Sequence, residues 1–136
     1  MSTVYDKVRD LLTSRELDLT VSEDGFQIRW DSAAVNVDIV EQEGRTLVQC
    51  YSPVLRDLAP SADLFEYVAT EGQDYYFGSM HYVPDVSGGL LVLEHTLLGD
   101  FLDPDELDNV VDSLVIVANR LDDELQERFG GKRFVD

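Results

Sequence analysis

The chain has 136 residues, 44% of them apolar, which suits one folded domain with a core of its own. Its 28 acidic against 10 basic side chains give a formal charge of −18, which argues against direct binding to nucleic acid or to an anionic membrane, because phosphates would be repelled. The single cysteine, Cys50, excludes an intramolecular disulfide and a cysteine-rich zinc site.

Thr3 to Glu16 reads as a short helix with Val4, Val8, Leu11 and Leu12 on one stripe. From Leu17 the period changes to two. Leu17, Leu19 and Val21 alternate with polar residues, Glu23-Asp24-Gly25 turns, and Phe26, Ile28 and Trp30 alternate again. Asp31-Ser32 breaks the run before Val35, Val37 and Ile39. Gln42-Glu43-Gly44 then turns into a strand from Thr46 to Val54. Ser61 to Gly72 is a predicted helix with Leu64, Phe65, Val68 and Ala69 together and Gly72 as its end. Tyr75 to Val83 reads as an aromatic-rich strand, Pro84 to Gly89 as a turn, and Leu90 to Leu98 as a nearly unbroken apolar strand, central or covered on both faces.

The last helix, Asp103 to Phe129, dominates the pattern. Asp103 is placed to cap it, Pro104 fits its first position, and Glu106 completes a capping box. Leu107, Val110, Val111, Leu114, Val115, Ala118, Leu121, Leu125 and Phe129 form one apolar stripe, with Asp108, Asp112, Asp122, Asp123 and Glu127 on the outer face. Gly130 supplies the left-handed residue that ends a helix. Lys132 and Arg133 follow just past that end, where positive charge is favoured. The sum is an α+β fold over a single domain, residues 1–136, in the order α-β-β-β-α-β-β-α. About five antiparallel strands are covered by helices, and Leu17–Val21 is an extra, loosely paired strand. No leader pattern opens the chain and no apolar run approaches the ~20 residues of a membrane span, so a cytoplasmic protein is expected.

Residues that could do chemistry are few. His81 and His95 fall on neighbouring predicted strands, but they lack the i, i+4 helical spacing of known zinc motifs. Cys50 sits mid-strand, away from the cations or helix N-terminus that activate a thiolate. Gly88-Gly89 joins two strands and is a turn, not a phosphate loop. Asp103-Pro104-Asp105-Glu106 lacks the glycine and the terminal glutamate of a calcium loop. No catalytic residue, metal ligand or cofactor is assigned, and the chain is expected not to be an enzyme. A binding role has more support, because Trp30, Tyr51, Tyr75, Phe77 and Tyr82 all fall on predicted strands, where exposed aromatics give large contact area at low entropy cost. In Tyr75-Tyr76-Phe77 strand alternation turns at least one ring away from the other two.

The element order, the acidity and a set of C-terminal residues resemble the type III secretion chaperone fold (CesT-like), and more closely the YbjN-type proteins, chaperone-like relatives found widely outside secretion systems. Those residues are Leu90-Leu91-Val92-Leu93-Glu94-His95-Thr96, Leu102-Asp103-Pro104-Asp105-Glu106-Leu107, Val115–Leu125 with Ala118 and Asp122, and Phe129-Gly130-Gly131. The strands Val35–Ile39 and Leu47–Tyr51 also fit. The resemblance implies a monomer or homodimer without catalysis that binds a protein or peptide client along a groove or sheet face. By position, it implies a dimer seam at Leu64, Phe65, Val68, Tyr76 and Gly78. Readings from other classes are a regulatory domain that senses a small ligand and an acidic decoy that inhibits a basic protein.

Overall fold

The computed structural model describes residues 3–86 and 88–134. Helix α1 (Thr3–Thr13) leads into four strands, β1 (Asp18–Val21), β2 (Gly25–Trp30), β3 (Ala33–Gln42) and β4 (Arg45–Arg56). Helix α2 (Ala62–Ala69) follows, then β5 (Ser79–Asp85), β6 (Gly88–Leu98), the long helix α3 (Pro104–Phe129) and a two-residue strand β7 (Lys132–Arg133). The strands form one sheet in the order β1-β2-β3-β4-β6-β5, with β7 pairing off that path on β4. Every pairing is antiparallel.

Alternation along the strands decides which face is covered. Phe26 pairs with Val37 and Ile28 with Val35, Val37 with Cys50, and Met80 with Leu93, so these residues share one face. Val4, Val8 and Leu12 of α1, Leu64 and Tyr67 of α2, and the stripe of α3 close over it in one continuous core. The opposite face is polar across its middle. Gln27 Nε2 donates to Asn36 Oδ1 (3.1 Å) and Tyr51 OH donates to Asp38 Oδ2 (3.0 Å). Its neighbours there are Gln49, Glu94 and Thr96. One transverse apolar row, Val40, Leu47 and Leu98, crosses that face near one end.

Helix α3 forms for the reasons its sequence states. Asp103 Oδ1 accepts from the N–H groups of Asp105 (2.8 Å) and Glu106 (3.4 Å), and Pro104 occupies the first turn. Gly130 ends it at φ 84°. Leu107, Val110, Val111, Leu114, Val115, Ala118 and Leu125 are buried. At about 1.5–3 kcal/mol for each of the larger side chains, this stripe is the largest single apolar contribution before chain entropy is counted.

The structure corrects the sequence reading in four places. Among the described residues the sheet has seven strands, not about five, because Asp18–Val21 pairs fully with β2 and Lys132–Arg133 pairs with Leu55–Arg56 of β4. Tyr75 to Gly78 is not strand. Helix α2 stops at Ala69, a 3-10 turn over Glu71–Gln73 follows, and an irregular segment with Gly78 at φ 90° leads into β5. Gly72 therefore does not end a helix, and it is buried against Met80, 2.7 Å from where a Cβ would meet it. Asp122 is not on the outer face of α3 but 2% exposed, facing the β2–β3 turn. There Ser32 Oγ lies within hydrogen-bonding reach of Asp122 Oδ2 and of Asn119 Oδ1, and the Ser32 N–H donates to the same Asn119 oxygen (3.1 Å). The turn polar groups need buried partners, and Asp122 and Asn119 supply them from the helix.

Candidate client-binding groove

The elements leave an apolar groove where the start of β1, the end of β2 and the middle of α3 meet. Its volume is about 270 Å³. Ile28, Val111 and Val115 form its floor, while Trp30 and Ile116 stand beside it 51% and 48% exposed. Trp30 takes this place because β2 runs beyond its pairing with β1. Arg29 is opposite Asp18, and the next residue has no strand partner on that side. Ile116 lies off the buried stripe of α3, next to Val115.

Arg15 bounds the groove, held by two aspartates of α3. Its Nη2 donates to Asp112 Oδ1 (2.8 Å) and its Nη1 to Asp108 Oδ1 (3.2 Å). The hydrogen bond to Asp112, against the opposing cost of burial, raises the guanidinium pKa above its ordinary value. Glu16 and Asp18 complete that rim, with Arg29 across from Asp18.

The other aromatics lie elsewhere. Tyr51 is on the open polar face, its phenol pushed up to about 12 by burial and by the Asp38 carboxylate that accepts its proton. Tyr75 and Phe77 are half-buried in the segment before β5. The Tyr75 hydroxyl is 3.4 Å from that of Tyr67, and the Phe77 ring meets His95 edge-on at 6.0 Å. Tyr82 is tucked under α2, donates to Leu58 O (2.8 Å) and meets Phe65 edge-on at 5.5 Å. Tyr75 and Tyr82 both meet α2, through Tyr67 and Phe65, while Phe77 meets His95 of β6, and Trp30 and Tyr51 share none of these contacts.

Of the seam residues, Leu64 is fully buried in the chain's own core, Val68 and Gly78 are half-buried, Phe65 is exposed on α2, and Tyr76 is fully exposed. Tyr76 is the ring of the aromatic triplet that turns outward, in an irregular segment rather than by strand alternation. Neither strand nor helix periodicity had a means of finding Leu17, Ile28 and Val115 as groove residues, since each reads as ordinary core. Ile116 was legible, because an isoleucine off the apolar stripe of an otherwise polar helix face is a sign of contact.

Among the described residues, reactive groups are not gathered into one cluster. Cys50 is fully buried, and burial together with the nearby Asp38 charge pushes its thiol up to about 12. His81 pairs with Val92 and His95 with Cys50, so the two histidines are not opposite each other. His95 Nδ1 accepts from the Gly78 N–H (3.0 Å), and His81 Nε2 shares a hydrogen bond with Ser79 Oγ (2.9 Å). Among the described residues, no group of three or more His, Cys, Asp or Glu side chains is placed to hold a metal ion. No described helix is long and apolar enough to cross a membrane.

Comparison with known proteins gives the fold and the class. A chain of the crystal structure of the ExsC-ExsE complex superposes with a TM-score of 0.65, covering 90% of this chain and 96% of that one at 18% sequence identity, a likeness of fold. No curated protein matches the sequence. A family model described as "T3SS (YopN, CesT) and YbjN peptide-binding chaperone 1" matches residues 2–136. With that match over nearly all its length, on the helix-covered antiparallel sheet described above, the chain belongs to this family of peptide-binding chaperones and has a chaperone-like, protein-binding role.

Proposed function

We propose that the protein holds a segment of a client protein non-covalently on its apolar groove, without catalysis, in the cytoplasm. The observation that carries this is the groove itself. Trp30 and Ile116 are large apolar side chains left half exposed over an apolar floor, and exposed clusters of this kind mark binding sites. The solved relative is a complex of two named components, which supports a role that needs a partner. The open sheet face supports the groove over the sheet as the seat, because its centre is hydrogen-bonded polar side chains. Nucleic acid and anionic membranes remain outside the reading, since a charge of −18 repels both.

The same reading includes a homodimer through the exposed side of α2. Phe65 and Tyr76 carry that seam, with Val68 and Gly78 beside them, and Leu64 supports it only from beneath. Charged replacements at Phe65 and Tyr76 should shift the species seen in analytical ultracentrifugation towards monomer. A double variant that sediments as the wild type does would rule this seam out.

Affinity co-purification from the native host at low and high salt tests the client reading. A partner retained at high salt is expected, because apolar burial is insensitive to screening. A partner lost at high salt would instead favour the acidic decoy. No partner at either salt, with a metabolite raising the melting temperature, would favour a ligand-sensing domain.

A further inference from the structure

We propose that the junction between the β2–β3 turn and α3 holds one hard divalent cation, calcium by its ligand chemistry, between the carboxylates of Asp31 and Asp122. This goes beyond the client-binding reading and does not depend on it.

The first argument is an unbalanced buried charge. Asp122 is 2% exposed, and its Oδ1 has no hydrogen-bond partner among the described residues. No described Lys, Arg or His forms an ion pair with Asp122 or with Asp31. Buried charges in proteins are paired or bind metals. The other oxygen of this carboxylate meets Ser32, so the unpartnered one belongs to the same junction of turn and helix.

The second argument is a count of protons. Ser32 Oγ carries one proton. It lies 2.6 Å from Asn119 Oδ1 and within hydrogen-bonding reach of Asp122 Oδ2, two acceptors for that one proton. The Ser32 N–H donates to Asn119 Oδ1 (3.1 Å), which sets the amide with its oxygen towards the turn. Exchanging the amide oxygen and nitrogen therefore does not supply the missing donor. With Asp122 Oδ1 also unpartnered, the junction is short of positive charge.

The third argument is the kind of atom present. Asn119 Nδ2 donates to Asp31 Oδ2 (3.4 Å), which brings a second carboxylate to the first. Asp31 and Ser32 come from the turn, Asn119 and Asp122 from α3, and the oxygens they offer are two carboxylates, a hydroxyl and an amide. No histidine or cysteine is among them. That set suits calcium, which takes oxygen ligands in irregular arrangements, over zinc, which favours nitrogen and sulfur. One divalent ion balances the two carboxylates. Asp31 is exposed while Asp122 is buried, so the ion enters from the Asp31 side and water completes its shell. Bound there, it fastens α3 to the turn that follows Trp30 and braces that wall of the groove.

Trp30 is the sole tryptophan and the chain neighbour of Asp31, so it can sensitise terbium, a luminescent substitute for calcium. The full chain, treated with a chelator, is titrated with terbium and then with calcium in about 0.1 M sodium chloride, which suppresses loose attraction to the acidic surface. Calorimetry with calcium alone counts the sites. The expected result is one saturable site per chain with a Kd below about 1 mM, terbium emission displaced by calcium, and a melting temperature raised by calcium. Asp31→Asn and Asp122→Asn should each weaken binding about tenfold or more. Asp31→Asn alters an exposed position and serves if the Asp122 variant does not fold. Glu124→Gln, at an exposed position on α3, should leave binding unchanged. Absence of a saturable site overturns the proposal. So does calcium binding that Asp31→Asn leaves intact, which assigns the ion to the acidic surface at large. A chain indifferent to calcium whose stability rises as the pH falls towards about 5 also overturns it, because the missing positive charge is then a proton.

Discussion

Single residues carry two testable consequences. Asp122 is buried with its Oδ1 lacking a hydrogen-bond partner among the described residues, so its contact with Ser32 is the main compensation for its burial. Ser32→Ala should lower stability by about 1–3 kcal/mol in urea unfolding, the cost of leaving a buried polar group unsatisfied. Wild-type stability in that variant would mean that Asn119 alone satisfies the turn. Cys50 and Tyr51 set an alkaline limit. Their unfolded forms ionise near 9.0 and 10.0, and the folded forms only near 12. Between those values the folded state keeps protons that the unfolded state has released, so stability falls as pH rises from about 9 towards 12 and is unaffected by these groups below it. Denaturant midpoints across that range check the sign. The Cys50 thiol should also stay unreactive towards a thiol reagent near pH 8 until the chain unfolds.

At the scale of elements, α3 was legible almost to the residue, because its cap, its first-turn proline and its terminal glycine are local chemistry. Asp103→Ala should cost about 1 kcal/mol, read from the thermal or denaturant midpoint, since two first-turn N–H groups lose their acceptor. No change would mean that solvent replaces the cap. Strands β1 to β4 were legible for the same kind of reason, as period-two runs ended by Asp24-Gly25, Asp31-Ser32 and Glu43-Gly44. Tyr75–Gly78 was not, because aromatic composition reads as strand while the segment is fixed by tertiary partners, the Tyr67 hydroxyl and His95. Strand β7 was invisible for the opposite reason. Two residues carry no period, and only the return of the chain to Leu55–Arg56 makes them a strand.

For the whole molecule, the excess of acids is a standing repulsion. Many of the few bases are already in ion pairs, Arg15 with Asp108 and Asp112, Arg128 with Glu71, and Arg133 with Asp123 among them. Raising sodium chloride from about 0.02 M to about 0.5 M should therefore raise the melting temperature, because screening relieves net repulsion more than it weakens exposed pairs. A fall would show that the ion pairs dominate.

The sequence by itself determined the class of fold, the long capped helix over an antiparallel sheet, the acidic surface and the family likeness, because periodicity, capping and charge are properties of neighbours along the chain. Only the tertiary structure decided which of the aromatic side chains are available. Trp30 stands open beside Ile116 while Tyr82 is tied to Leu58, and no spacing in the sequence distinguishes them. Exposure depends on which helix covers which strand and on where each strand runs out of partners. Asp122 shows the same limit from the other side, as a carboxylate that helical spacing placed in solvent and that Ser32 of the β2–β3 turn, 90 residues earlier in sequence, drew into the protein.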